Sequence, residues 1–142
     1  MIAFFDTSVH VDILAGHLPL DVALQAVGHG PIRLSPVVAS ELLRGASGRA
    51  VSNVETLVEH LRPIEPPSWR RCWVDAGRML PKIFRRHKAM GLSRLLHDVL
   101  LALTARHTGA LLLTRDRHFA TLRRHLPFAW KLLATRGTEY GS

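Results

Sequence analysis

The sequence predicts a three-layer α/β domain: a central, mostly parallel sheet of about five strands flanked by helices. Three observations predict it. Two short continuous apolar runs, residues 2–5 and 110–113, read as strands buried on both faces, as in the middle of a parallel sheet. Helix-like segments fill the intervals between strand-like runs, the alternation of a βαβ chain. The 142 residues are 47% hydrophobic and 21% charged, which suits one domain with a single core. That domain is expected over residues 1–133, with 134–142 as a polar, glycine-containing tail. No repeat or linker divides it.

The first run stops at Asp6, and Thr7 or Ser8 is expected to cap a short helix reaching Leu14 and closed by Gly16. Val11 and Leu14 would share one side of that helix, with His10 and His17 outside. A second helix is expected over 18–27, then a strand over 32–34. Ser35 and Pro36 start the next helix, with Ser as cap and Pro at the first helical position. That helix runs to Arg44 and stops at Gly45. Glu41 falls on its apolar side with Val37 and Val38. It lies too far from Ser35 to close a capping box.

A helix over 49–61 and a short strand over 62–65 precede Pro66 and Pro67. A long amphipathic helix then starts at Ser68 and is interrupted near Pro81. It and the residues after it carry Arg70, Arg71, Arg78, Lys82, Arg85, Arg86 and Lys88. The next helix, 92–107, is apolar nearly all round and therefore buried. It contains Asp98, a carboxylate that costs several kcal/mol there unless paired, hydrogen-bonded or bound to a cation. His97 falls on another face and is expected to be structural. The strand 110–113 ends in Thr114, Arg115 and Asp116, repeating the arrangement at Asp6. Asp116 can also cap a helix over 117–125, and residues 127–133 supply a last strand at the sheet edge.

Lys and Arg outnumber Asp and Glu 19 to 11, a net charge of +8. Sixteen of the 19 cations are Arg, the side chain best shaped to pair with phosphate. An anionic partner is favoured. A single cysteine, Cys72, excludes an intrachain disulfide and a cysteine-based zinc site. The sequence carries neither a secretory pattern at its start nor an apolar run long enough for a membrane span. A cytoplasmic setting without membrane contact is expected.

Right-handed crossovers put the C-terminal ends of parallel strands on one edge, where ligands of open α/β sheets bind. Asp6 and Asp116 reach that edge from strand ends, Glu41 and Asp98 from helices. Four carboxylates together repel one another, and hard Mg²⁺ or Mn²⁺ resolves the repulsion. Such a site activates a water and neutralises charge on a phosphodiester. Arginines at the rim would hold a nucleic-acid backbone. The residues point to a metal-dependent phosphodiesterase acting on nucleic acid.

Four stretches carry a family resemblance. They are Phe5-Asp6-Thr7-Ser8, the segment from Ser40-Glu41 to Gly45, the segment from Asp98-Val99 to Ala105, and Leu113 to Phe119 around Thr114-Arg115-Asp116. In order and spacing they span nearly the whole chain, which resembles PIN domains and, among them, the VapC-type ribonuclease toxins of toxin–antitoxin pairs. The resemblance implies Mg²⁺- or Mn²⁺-dependent endoribonuclease activity, a homodimer and inhibition by a cognate antitoxin. It makes Asp6, Glu41, Asp98 and Asp116 the catalytic and metal-binding cluster, with Ser8 and Thr114 as polar supports. Arg115, Arg117, Arg85 and Arg86 are the candidate RNA contacts. His118 departs from the pattern, standing where many relatives have another acid.

Two other classes compete. A catalytically silent PIN-fold module binding RNA or protein gains nothing from four clustered carboxylates. Aspartyl-phosphate chemistry expects a second Asp two residues after the first, where Ser8 stands, or acidic neighbours of Asp6 after the first strand, and neither is present.

Overall fold

The computed structural model describes residues 1–84 and 89–133. Arg85, Arg86 and the tail expected over 134–142 lie outside the described residues. β1 (Ala3–Phe5) is an interior strand of a four-stranded sheet in the order β2-β1-β3-β4. Its neighbours are β2 (Ile32–Arg33) and β3 (Leu111–Thr114), and β4 (Trp130–Leu132) forms one edge. Every pairing is parallel, with Ala3 opposite Leu111 and Phe5 opposite Leu113.

Side chains alternate across this sheet, as the two-residue period of a strand demands. Phe4 and Leu112 enter a core built with α3 (Pro36–Gly45), α4 (Arg49–His60), α5 (Trp69–Ile83), α6 (Ala89–Thr108) and α7 (His118–His125). Ala3, Phe5 and Leu113 enter a smaller core with α1 (Thr7–Leu14) and α2 (Leu20–Val27). Both faces are therefore covered, which is why β1 and β3 have no polar side until they end. Phe4 is fully buried, and removing such a side chain from water is worth roughly 1.5–3 kcal/mol.

Several expectations need correction. The sheet of described residues has four strands, not five. The run at 62–65 contributes only a bridge between Leu34 and Pro63, because Pro63 lacks an N–H and Pro66 and Pro67 stop further pairing. Asp6, rather than Thr7 or Ser8, caps α1, its Oδ1 accepting from the Val9 N–H at 3.2 Å. His10 is buried, not outside, and packs on Phe5 with ring centroids 5.2 Å apart. Val11 and Leu14, conversely, are exposed and border an open groove. Pro81 lies inside α5, which continues to Ile83. No helix among the described residues is long and apolar enough to cross a membrane.

Candidate functional site

The site grows from the ends of β1 and β3. The ladder between them continues one step past β1, the Asp6 N–H donating to Leu113 O at 3.0 Å. This fixes the Asp6 carboxylate beneath the turn that leaves β3. Ser8 Oγ donates to Asp6 Oδ1 at 2.6 Å, and Thr114 Oγ1 donates to Asp6 Oδ2 at 2.6 Å. Both hydroxyls also accept from the β3–α7 turn: Ser8 from the Arg115 N–H at 3.2 Å, Thr114 from the Asp116 N–H at 2.9 Å. Asp6 is thus a buried hub holding two chain segments in register. Loss of solvent raises its pKa, opposed by these hydrogen bonds and reinforced by the charge of Asp116.

Asp116 is held from its other side. Its Oδ1 accepts from the His118 N–H at 2.9 Å, and the His118 ring Nδ1 lies 2.9 Å from the same oxygen. Arg94 approaches Oδ2 at 3.7 Å. α7 begins at His118 with Arg117 as its N-cap residue, so Asp116 braces the helix from just outside.

Glu41 projects from α3, whose start is fixed by Ser35 Oγ accepting from the Val37 N–H at 3.2 Å. Thr7 Oγ1 donates to Glu41 Oε1 at 3.0 Å, and His97 Nδ1 lies 3.8 Å from Oε2. His97 therefore faces Glu41 across the gap between α3 and α6.

Asp98 differs from the other three. Its Oδ2 is buried and has no hydrogen-bond partner among the described residues. Its pKa is raised to about 8, first by burial, then by the negative fields of Asp116 and Asp6; Arg94 opposes the shift and Glu41 adds to it. Asp98 senses all three other acids, so the four carboxylates occupy one edge of the molecule.

Among the described residues, no three His, Cys, Asp or Glu side chains stand close enough to enclose a metal ion together. The donor chemistry nevertheless fits a hard divalent cation. An orphaned, buried carboxylate oxygen beside three further carboxylates is the environment that such a cation relieves. Ligation by the set requires the side chains to turn toward a shared ion.

The arginines divide. Arg117 is exposed. Arg115 is not: its side chain is 8% exposed, with Nε 3.0 Å from Asp12 Oδ2. This pair ties α1 to the β3–α7 turn, and the RNA-contact expectation for Arg115 meets an inward-facing guanidinium. Sequence reasoning missed Thr7, Arg94 and the Asp12–Arg115 pair. Arg94 carried a signal, lying one helical turn before Asp98. Thr7 and Asp12 carried none, because their partners come from distant segments.

The model of the PIN domain family matches residues 3–124. The chain belongs to the PIN-domain family. Solved structures agree on the fold of this PIN domain. VapBC-1 from nontypeable Haemophilus influenzae is 18% identical with a TM-score of 0.67, covering 93% of this chain and 98% of that one. VapBC2 from Rickettsia felis, bound to a DNA fragment from its promoter, is 14% identical with a TM-score of 0.66, covering 94% and 100%. VapBC-5 from Mycobacterium tuberculosis, of the VapBC family of toxin–antitoxin systems, is 18% identical with a TM-score of 0.61, covering 93% and 98%. None of the curated proteins compared matches the sequence.

Proposed function

We propose that this PIN domain is a metal-dependent endoribonuclease and the toxin of a type II toxin–antitoxin pair. The observation that carries this reading is Asp98: a buried carboxylate with an unpartnered oxygen, beside Asp6, Asp116 and Glu41. A purely structural acid would be paired, and a binding module has no use for the repulsion. The structural neighbours are complexes of toxin–antitoxin type, which supports the biological setting.

Asp98, Asp116, Glu41 and Asp6 are the residues that would hold Mg²⁺ or Mn²⁺. Bound there, the ion would supply a water of lowered pKa and neutralise charge on the scissile phosphodiester. The chain's own groups position the acids. Ser8 and Thr114 orient Asp6, while Thr7 and His97 orient Glu41. Arg94 and His118 fix Asp116, and Arg117 offers an exposed cation for the RNA backbone.

An antitoxin fits beside this edge. A groove of about 280 Å³ between α1, α3 and α4 is lined by Val11, Leu14, Leu42 and Val54, with Glu41 among its walls. An antitoxin segment that seats apolar side chains there and extends an arginine toward the carboxylates would block RNA by charge complementarity. The working form is a homodimer, and the setting is the cytoplasm. Purified protein is expected to cleave single-stranded RNA with Mg²⁺ or Mn²⁺ and to stop on chelation. Asp98→Asn is expected to lose about two orders of magnitude or more. Cleavage that survives both chelation and Asp98→Asn removes the assignment.

A further inference from the structure

A second concavity adjoins the acidic edge and shares only His97 with it. It measures about 230 Å³ and is lined by Pro36, Val37, Ser40, Trp69, Trp73 and His97. His97 is the shared wall: it lines this pocket while its Nδ1 stands 3.8 Å from Glu41. Trp73 is 45% exposed, a large ring left in contact with water. Trp69 is anchored, its indole N–H donating to Glu65 Oε1 at 3.0 Å. Ser40 adds a polar edge, its hydroxyl donating to Val37 O at 2.9 Å with lone pairs to spare. Arg70 is exposed three residues before Trp73, on the same side of α5.

We propose that this pocket is a base-binding subsite, in which an unpaired RNA nucleobase stacks on Trp73 and the adjoining phosphate passes His97 toward the acidic edge. The inference rests on the nuclease reading and extends it to how substrate is held. Aromatic side chains take unstacked bases by their π faces, and stacking tolerates any sequence. Ser40 and His97 offer hydrogen-bonding groups to a base edge. Arg70 offers a cation to the backbone entering the pocket. The occupant that competes is a second copy of the chain. The chain's net charge of +8 favours an anionic occupant, and Arg70 places one exposed cation of that excess beside the pocket.

The test uses full-length protein carrying Asp98→Asn, in chelator, so that RNA stays intact. The probes are a single-stranded oligoadenylate and an abasic oligomer of equal length, with binding read by anisotropy and by tryptophan fluorescence. Adding Trp73→Ala is expected to weaken oligoadenylate binding about tenfold or more and to remove most of the fluorescence quench. Trp73→Phe is expected to restore most of the affinity, and the abasic oligomer to bind all three proteins alike. Equal oligoadenylate affinity with and without Trp73 overturns the subsite, as does absence of binding by the parent. A shift from dimer to monomer in light scattering on Trp73→Ala also overturns it, assigning the ring to contact between copies. The nuclease reading is judged separately, by Mg²⁺-dependent cleavage in protein with Asp98 intact. RNA bound through Trp73 but never cut would sink that reading and leave the subsite standing.

Discussion

Thr114 donates a 2.6 Å hydrogen bond to Asp6 across 108 positions of sequence. The same hydroxyl accepts from the Asp116 N–H, so one side chain joins the ends of β1 and β3 and positions two acids. Thr114→Val keeps the shape and removes both bonds. It leaves Asp6 Oδ2 and the Asp116 N–H short of a partner, at a cost of about 1–3 kcal/mol for each orphaned group. A lower urea midpoint with an unchanged m-value is expected, with Thr114→Ser retaining much of the stability.

Asp98 should make metal-free protein less stable as pH rises. Its folded pKa of about 8 lies above the ordinary 3.8, so the folded state binds the extra proton between those values. Stability is then greatest below that window and falls as pH climbs through it. Between pH 6.5 and 8, chelated parent is expected to lose melting temperature while Asp98→Asn holds level. Added Mg²⁺ should recover the loss in the parent alone. Parallel melting curves for the two proteins would contradict the environment assigned to Asp98.

His10 works in the opposite sense. Burial lowers its pKa from 6.5 to about 4, and its Nε2 has no partner among the described residues. The folded state binds fewer protons in that window, so stability present above pH 6.5 is lost as pH falls toward 4. The loss is about 3 kcal/mol. His10→Leu is expected to flatten this acid limb in denaturant titrations at pH 4 and 6.5. An unchanged limb would place its cause elsewhere.

Two arginines two residues apart should separate stability from RNA retention. Arg115→Ala removes the closer of the two cationic side chains beside Asp12, leaving His17 at 3.9 Å, and should cost about 1–3 kcal/mol, since the Asp12 side chain is 28% exposed. Arg117→Ala should leave the melting temperature within a degree or so. Its effect is expected in weaker RNA binding with a shallower salt dependence. A variant pair with these effects exchanged would reverse the roles.

The legible parts of the molecule are those that sequence states locally. Phe4 and Leu112 sit in runs with no polar alternation, so their double-sided burial could be read directly. Ser35-Pro36 and Gly45 bracket α3 closely. Asp6 and Asp116 were legible as carboxylates ending buried strands, and Asp98 as a charge in an apolar helix. What escaped depends on contacts between distant segments. His10 reads as polar, yet α1 is too short for its apolar phase to be clear, and the ring is drawn in against Phe5. His97 reads only as a structural residue on another face of its helix from Asp98, and its neighbour there, Glu41, comes from the distant α3. Arg115 reads as a free cation until Asp12 claims it. The expected fifth strand failed on Pro63, where one bridge was mistaken for a ladder.

The parallel order β2-β1-β3-β4 has a consequence for synthesis. β1 emerges from the ribosome before the other three strands, and β3, its partner inside the sheet, is made long after it, with β2 and six helices in between. Until then Asp6 has neither Thr114 nor the turn that carries Asp116. The N-terminal half alone is a fragment with two of the four acids and no closed edge. A nascent chain, or one cut before β3, therefore lacks the hydrogen bonds that join the two strand ends and hold Asp6 beside Asp116.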